Sequence, residues 1–206
     1  VTIPEGYSSF EMATLFEREL APFDGARFLT LARVEEGHLF PDTYRFAPGA
    51  SPEMVVSVMR KNFDKKTAEL QEEAASSATH FKDILIMASI LEKEARQFET
   101  RQTIAGILWK RILVGMRLQV DAVFGYIAGT ETFNPSFADL KVDSPYNTYQ
   151  NAGLPPGPIG NPGLDSIKAA MTPVATPYFY YLTGKDGTMH YARTFEEHVS
   201  NRRYLR

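Results

Sequence analysis

The chain has no cysteine among its 206 residues. This absence excludes disulfide bonds, thiolate nucleophiles and cysteine-ligated zinc sites. The sequence also has no apolar run of the roughly 18 residues that a transmembrane helix needs, and no signal-peptide pattern. Neither charge sign is in large excess, since the formal net charge is -3 and lysine and arginine are spread along the chain. We therefore expect no nucleic-acid partner, because such proteins carry a concentrated basic patch.

The composition that remains is that of a folded protein with a sizeable core. Hydrophobic residues make up 44% of the chain and aromatic residues 12%, which argues against disorder. The length suits one large domain, or one domain with a small appendage. The chain begins at Val1 without an initiator methionine and already in strand-like alternation. We therefore expect it to be a fragment of a longer protein, whose missing N-terminal part could include an anchor or export signal.

Capping residues, turn residues and apolar spacing predict an α+β fold in which helices and strands are segregated. Residues 1–30 are expected to form a small βα subdomain, and residues 31–206 the main domain. A strand is predicted over 1–3, helices over 9–20, 52–76, 81–97, 100–113 and 165–171, and a hairpin of two strands around Lys185-Asp186-Gly187. Residues 115–163 are predicted to be mostly loop. A loop of that length inside a compact domain is usually functional or disordered, and its aromatic content argues against disorder.

Two carboxylates end an otherwise apolar run, "ILIMASILEKEA", at residues 84–95. At about 100° per residue, Glu92 falls on a polar stripe with Ser89, Lys93 and Arg96. That position predicts a solvated or salt-bridged surface residue at Glu92, whose replacement by Gln is expected to cost little activity. Glu94 falls on the opposite side, among apolar residues.

Two interpretations of Glu94 follow from its position. It is either a helix-end carboxylate that reaches solvent or pairs with an arginine, or a carboxyl group held in an apolar pocket. In such a pocket desolvation disfavours the anion and raises the pKa toward the working pH, as a general acid requires. The second interpretation makes Glu94 a candidate proton donor.

Other chemistry-bearing residues give weaker signals. The 4 histidines show no metal-binding spacing, so neither a metal nor another cofactor is expected. The segment "SPYNTY" at 144–149 combines two aromatic rings with amide and hydroxyl groups. Rings stack on the apolar faces of sugars, while Asn147 and Thr148 could hydrogen-bond to hydroxyl or N-acetyl groups. The alternative is a packed, hydrogen-bonded loop. The stiff segment 153–163, rich in proline and glycine, suits either a cleft rim or a plain connector.

Five segments together resemble the MltG (YceG-like) endolytic murein transglycosylases of bacteria. They occur in the family's order and cover about four-fifths of the chain; they are "EGHLFPDTYRF" (36–46), "ASILEKEA" (88–95), "GILWKRILVGMRLQVD" (106–121), "SPYNTYQNAGLPPGPIGNPG" (144–163) and "TPYFYYLTGKDGTMHYARTFEEH" (176–198). Residues 1–20 resemble the end of the LysM-like subdomain that precedes the family's catalytic domain. The resemblance therefore implies a helix-rich, lysozyme- or transglycosylase-like catalytic domain from residue 31, with a partial LysM-like subdomain before it.

The resemblance aligns the family's catalytic glutamate with Glu94. It implies cleavage of the β-1,4 bond between N-acetylmuramic acid and N-acetylglucosamine in peptidoglycan, with formation of a 1,6-anhydro end. It also implies a protein of the bacterial cell envelope that is anchored in the inner membrane, with peptidoglycan synthases as candidate partners. We hypothesise a substrate-binding set around Glu94 that consists of Glu92, Gln119, Asp121, Tyr146, Asn147, Thr148 and Tyr149.

Two competing functions are expected to differ in their products. A hydrolase would use Glu94, a second carboxylate such as Asp121, and a water molecule. A non-catalytic glycan-binding module would bind peptidoglycan and release nothing.

Overall fold

The computed structural model describes residues 1–76, 79–130 and 134–205. Within these ranges no helix is both long and apolar enough to cross a membrane. The helices are α1 (Ser9–Glu19), α2 (Gly25–Ala32), α3 (Pro52–Ala75), α4 (Phe81–Glu94), α5 (Phe98–Leu113), α6 (Ala122–Ala128), α7 (Leu164–Met171) and α8 (Phe195–Asn201). The strands are β1 (Tyr180–Thr183) and β2 (Met189–Ala192). This arrangement of helices with a small antiparallel sheet confirms the predicted α+β class.

The helix boundaries follow local capping chemistry. Ser8 caps α1 in a reciprocal capping box with Glu11, and Ser51 caps α3 with proline in its first turn. Gly115, at a φ of 73°, lies just beyond the end of α5 in the left-handed region that glycine accepts readily. The helix predicted over 81–97 ends earlier, at Glu94, because Ala95 adopts an extended backbone.

Helix α4 lies at the centre of the larger hydrophobic cluster. Residues 84–91 are all buried, and the helix packs against α7, α5, α6 and α3. Ser89 is only 1% exposed; its hydroxyl donates to the Ile86 carbonyl and accepts from the Ile159 amide. The predicted solvated stripe through Ser89 and Glu92 is therefore wrong. Lys93 and Arg96 of the same stripe are exposed as predicted, so the packing covers only part of this side of the helix.

The predicted loop between 115 and 163 contains an unpredicted helix. Helix α6 follows Asp121 and ends at Gly129, which adopts a left-handed conformation. Residues 131–133 of the predicted loop lie outside the described residues. Apart from one 3-10 turn at Asp139–Lys141, the remaining described part of the segment is held mainly by side-chain hydrogen bonds, such as those of Asn147 to the Leu140 and Val142 carbonyls.

A smaller hydrophobic cluster gathers residues from the first part of the chain. Its members run from Ile3 to Met59 and include Phe16, Phe28 and Tyr44. An isolated antiparallel bridge joins Thr2 to Thr43, where a short strand was predicted. The cluster therefore includes residues on both sides of residue 30. The domain division at that residue stays a prediction.

Asn161 joins the two clusters through buried hydrogen bonds. Its side chain accepts from the Leu39 amide and donates to the Tyr7 carbonyl and to Glu36. Glu36 also accepts from the backbone and hydroxyl of Ser9. Burial raises the pKa of Glu36 to about 7, although its hydrogen bonds from Ser9 and Asn161 act in the opposite direction. The first helix is thereby fixed against the 153–163 segment.

Candidate active site

Three cavities share Glu94, and together they form a branched groove. The tyrosine arm, of about 580 Å³, is lined by Arg111, Gln119, Asp121, Tyr149, Tyr180 and Tyr181. The α1 arm, of about 330 Å³, is lined by Ser8, Glu11, Lys93, Asp121, Tyr126 and Ile159. The hairpin arm, of about 520 Å³, is lined by Glu92, Ala95, Arg96, Thr183, Gly187 and Met189. Glu94 therefore lies where an extended ligand can pass on either side of it.

A separate cavity of about 550 Å³ lies elsewhere, between α5 and α7, and is lined mainly by apolar side chains such as Ile84, Trp109 and Leu113. It shares no lining residue with the three arms of the groove.

Glu94 is the last residue of α4, and its carboxyl group is held by a hydrogen bond across the groove. The Tyr181 hydroxyl donates to its Oε2 atom at 2.8 Å. The side chain remains partly accessible from the groove. A carboxylate at the C-terminal end of a helix also faces the negative end of the helix dipole. The position therefore combines access to a ligand with surroundings that disfavour the anion.

The pKa of Glu94 is raised to about 7 by burial, the largest cause. The hydrogen bond from Tyr181 lowers it, the Asp121 charge raises it and the Arg111 charge lowers it. A carboxyl group with such a pKa is protonated in about half of the molecules at neutral pH and can both donate and accept a proton. The direction agrees with the sequence-based expectation of a desolvated Glu94.

Asp121 stands beside Glu94, since it lines both the tyrosine arm and the α1 arm. The Tyr149 hydroxyl donates to its Oδ1 atom at 2.6 Å. Gln119 has a φ of 51°, and its amide donates to the Thr148 carbonyl. A left-handed conformation is uncommon for a residue other than glycine and often marks a functional segment. The structure thus brings Gln119, Asp121 and Tyr149 together with Glu94 in one cavity, and their contact with a substrate stays a prediction.

Asn147 and Thr148 are buried away from the groove. Asn147 is 0% exposed, and its amide donates to the carbonyls of Leu140 and Val142 while its oxygen accepts from the Tyr149 amide. The Thr148 hydroxyl bonds to the backbone of Val120. These bonds replace regular structure in the loop and leave the two side chains turned inward. The predicted contact of these two side chains with a sugar is therefore wrong. They follow the alternative prediction for this segment, a packed and hydrogen-bonded loop.

Tyr146 is half-buried, and its ring lies 5.0 Å from that of Tyr126. Because Tyr126 lines the α1 arm, Tyr146 supports that wall from behind. The side chain of Glu92 is only 5% exposed; it forms an ion pair with Arg101 and accepts from the Gly163 amide. The predicted surface position of Glu92 is therefore wrong, whereas the predicted salt bridge is present in buried form.

Among the groove residues that the sequence did not identify, Arg111 and Tyr181 act directly on Glu94. The Arg111 guanidinium is buried and donates to the Phe179 and Leu118 carbonyls, which fixes the segment before Gln119. Tyr181 contacts Glu94 across 87 positions of sequence. Both lie in the segments quoted for the resemblance, but no local pattern separates them from neighbouring basic or aromatic residues. Among the described residues, no group of three or more His, Asp or Glu side chains is arranged to hold a metal ion.

Known proteins are similar to this chain in sequence and in fold. The sequence profile of the YceG-like family matches residues 1–204. A protein of Bacillus subtilis named endolytic murein transglycosylase is 38% identical over 164 residues, which are 79% of this chain and 46% of that protein. A protein of Streptococcus pneumoniae with the same name is 32% identical over 194 residues, or 91% of this chain and 34% of that protein. The chain thus spans less than half the length of these two relatives.

A solved structure is also similar. The crystal structure of a YceG-like protein from Listeria monocytogenes superposes with a TM-score of 0.89 at 32% sequence identity, covering 97% of this chain and 75% of that one. The profile match over nearly the whole chain, the two relatives and the shared fold lead to one conclusion. The chain belongs to the YceG-like family.

Proposed function

We propose that this chain is the catalytic part of an endolytic murein transglycosylase, with Glu94 as its acid and base. One observation carries the proposal: a carboxyl group whose pKa is raised to about 7 lies at the branch point of a long groove. The relatives' names supply the substrate, peptidoglycan. The bond cut would be the β-1,4 link between N-acetylmuramic acid and N-acetylglucosamine, within a strand rather than at its end.

The proposed reaction needs one titrating carboxyl group. Protonated Glu94 donates its proton to the glycosidic oxygen, and the bond from that oxygen to C1 of the muramic acid breaks. The C6 hydroxyl of the same sugar attacks C1, and the Glu94 carboxylate takes the hydroxyl proton. All atoms are conserved without water, and the products are a free 4-hydroxyl and a 1,6-anhydro end. Because the nucleophile is tethered to the sugar, effective molarity replaces a second carboxylate.

The remaining groove residues would position the glycan. Tyr149 and Gln119 offer a ring and an amide on the tyrosine arm, while Tyr146 acts indirectly by supporting Tyr126. The α1 arm, which includes Ser8 and Glu11, extends the groove onto the first helix. Such a substrate lies in the cell envelope outside the cytoplasm. Association with peptidoglycan synthases remains part of the proposal.

A muramidase is the second candidate function, and the position of Asp121 favours it. Asp121 lines two arms of the groove with Glu94, so it could activate a water molecule instead of a sugar hydroxyl. Retaining glycosidases place their two carboxyl groups about 5–5.5 Å apart, and inverting ones about 6.5–9.5 Å apart. Either arrangement would leave a reducing end that is heavier than an anhydro end by one water.

Digestion of purified peptidoglycan distinguishes the candidates. We expect the wild-type chain to release fragments with anhydro ends, identified by mass spectrometry. Fragments that carry only hydrolysed ends would indicate a muramidase instead of a transglycosylase. Binding of peptidoglycan without any released fragment would indicate a glycan-binding module and would overturn the proposed activity.

The pH dependence of cleavage tests the role of Glu94 as the acid. Its pKa is raised from an ordinary value of 4.5 to about 7, so it is protonated below that pH. We expect kcat/KM to fall by about tenfold per pH unit above pH 7. A profile that stays flat from pH 5 to pH 9 would contradict the assignment.

A stability measurement controls this experiment. A raised pKa in the folded state stabilises the fold fully below pH 4.5, and this contribution is lost as the pH rises through 7. Glu36, whose pKa is also about 7, acts in the same direction. Circular dichroism must therefore be measured at each pH, to show that the protein is still folded where its activity falls.

A further inference from the structure

We propose that Tyr181 is a positioning residue that reserves the Oε1 atom of Glu94 as the oxygen that gives up and takes back the proton. The inference rests on the proposed function, because it assigns a role within the same proton transfer. It begins from the 2.8 Å hydrogen bond in which the Tyr181 hydroxyl donates to Glu94 Oε2.

The direction of this hydrogen bond decides which oxygen can be protonated. A tyrosine hydroxyl has a single proton to donate. While that proton points at Oε2, this oxygen acts as an acceptor, whether Glu94 is a carboxylate or a neutral acid. The proton of the neutral acid then belongs on Oε1. One oxygen is thus bound to the protein, and the other is left for the ligand.

Tyr181 is suited to remain a donor throughout the working pH range. Burial raises the pKa of its hydroxyl well above the ordinary value of 10, and the nearby Glu94 charge and hydrogen bond raise it further. The hydroxyl therefore keeps its proton while Glu94 titrates near pH 7. A donor of constant protonation fixes the carboxyl group without taking part in the exchange itself.

Glu94 needs such a partner because of its place in the helix. It is the last residue of α4, and the chain continues in an extended conformation at Ala95. Glutamate also loses a large amount of side-chain conformational entropy when it is ordered. The hairpin restricts Tyr181 in turn, since Tyr181 pairs with Tyr191 of β2 in register. The paired strand thus holds Tyr181 where its hydroxyl reaches the carboxyl group at the end of α4.

The other charged groups that shift the pKa of Glu94 are Asp121 and Arg111, while Tyr149 is a nearby hydroxyl that stays neutral. Tyr149 donates its hydrogen bond to Asp121, and Arg111 donates to the Phe179 and Leu118 carbonyls. Asp121 and Arg111 act on Glu94 through charge. Tyr181 differs because it also fixes the direction in which the carboxyl group points.

The test is Tyr181→Phe, which removes the hydroxyl and keeps the ring. We expect kcat to fall by about 10- to 100-fold with little change in KM, as for the loss of a hydrogen bond to a charged group. The hydrogen bond from Tyr181 lowers the pKa of Glu94, so its removal raises that pKa. The alkaline limb of the pH profile should therefore move upward by about one pH unit.

This upward shift separates positioning from a merely structural role. If Tyr181 only filled space, the phenylalanine ring would do the same and the limb would stay in place. If the variant instead disturbed the site and admitted water, the limb would move down toward pH 4.5, the ordinary value. Tyr191→Phe is the matched control, because Tyr191 lies opposite Tyr181 in the same hairpin and is absent from the linings of the three groove arms. We expect this variant to keep both the rate and the pH profile of the wild type.

A direct titration keeps the inference separate from the proposed function. Carbon-13 labelling of the glutamate side chains allows the Glu94 carboxyl to be titrated by NMR in wild type and in Tyr181→Phe without substrate. A higher midpoint in the variant supports the inference, and an unchanged or lower midpoint overturns it. A wild-type protein that releases no fragment would overturn the proposed function, whatever the titration shows.

Discussion

Glu94→Gln is expected to lower the rate of peptidoglycan cleavage by about 100- to 10,000-fold, the range that a general acid and base contributes. Glutamine matches the shape of glutamate, and its carbonyl oxygen can still accept the Tyr181 hydrogen bond. It has no proton that can be transferred at neutral pH. The appearance of soluble fragments from purified peptidoglycan, followed by mass spectrometry, measures the effect.

The structure predicts that this loss comes without loss of fold. Ionisation of Glu94 is disfavoured by burial, so a neutral glutamine should leave the melting temperature at pH 8 unchanged or raised. Glu99→Gln serves as the control, because Glu99 is an exposed carboxylate in the first turn of α5. If Glu94→Gln cleaved peptidoglycan at nearly the rate of this control, Glu94 would not be the acid and base of the reaction.

Glu92→Ala is expected to lower the free energy of unfolding by about 3–5 kcal/mol, as when one partner of a buried ion pair is removed. The side chains of Glu92 and Arg101 are 5% and 7% exposed, so the deletion leaves a guanidinium charge buried without its counter-charge. The Gly163 amide loses its acceptor as well. Urea denaturation followed by circular dichroism measures the difference, with Glu99→Ala as the exposed control on α5.

Replacing both partners of the Glu92–Arg101 ion pair tests whether the buried, unpaired charge causes the loss of stability. Because the cost arises from an uncompensated charge, Glu92→Met combined with Arg101→Met should be less destabilising than Glu92→Ala alone. Arg101 also donates to the Ala95 carbonyl, next to Glu94, so changes in the pair should disturb cleavage through the end of α4. A loss of less than about 1 kcal/mol in Glu92→Ala would instead fit the solvated position that the helical wheel predicted.

Most of the helices could be located from the sequence because their ends are encoded locally. The backbone groups at a helix end find their partners within a few residues. Helix α1 is capped by Ser8 with Glu11, helix α3 begins at Ser51 with Pro52, and Gly115 allows the chain to turn after α5. The hairpin was equally local, since its turn depends on Asp186 and Gly187. Helix α6 was missed because it is short and lies within a segment rich in turn residues.

The candidate site was only partly predictable, for a physical reason that Glu92 and Glu94 illustrate. The helical wheel assumes that a helix has one buried and one solvated face, whereas α4 is covered on several sides. The wheel therefore identified Glu94 as unusual but placed Glu92 in solvent. The composition of residues 144–149 suggested sugar contacts, but composition cannot distinguish side chains that turn outward from side chains that bond inward, as Asn147 does.

The sequence by itself indicated the α+β class, most of the helices, the hairpin, and the position of Glu94 among apolar residues of its helix. These depend on interactions within about one or two turns of chain, which a linear pattern records. The tertiary structure alone decided that Arg101 neutralises Glu92, that Asn147 faces inward, and that Tyr181 binds Glu94. Those contacts join residues from separate elements, and their partners are fixed only when the elements pack.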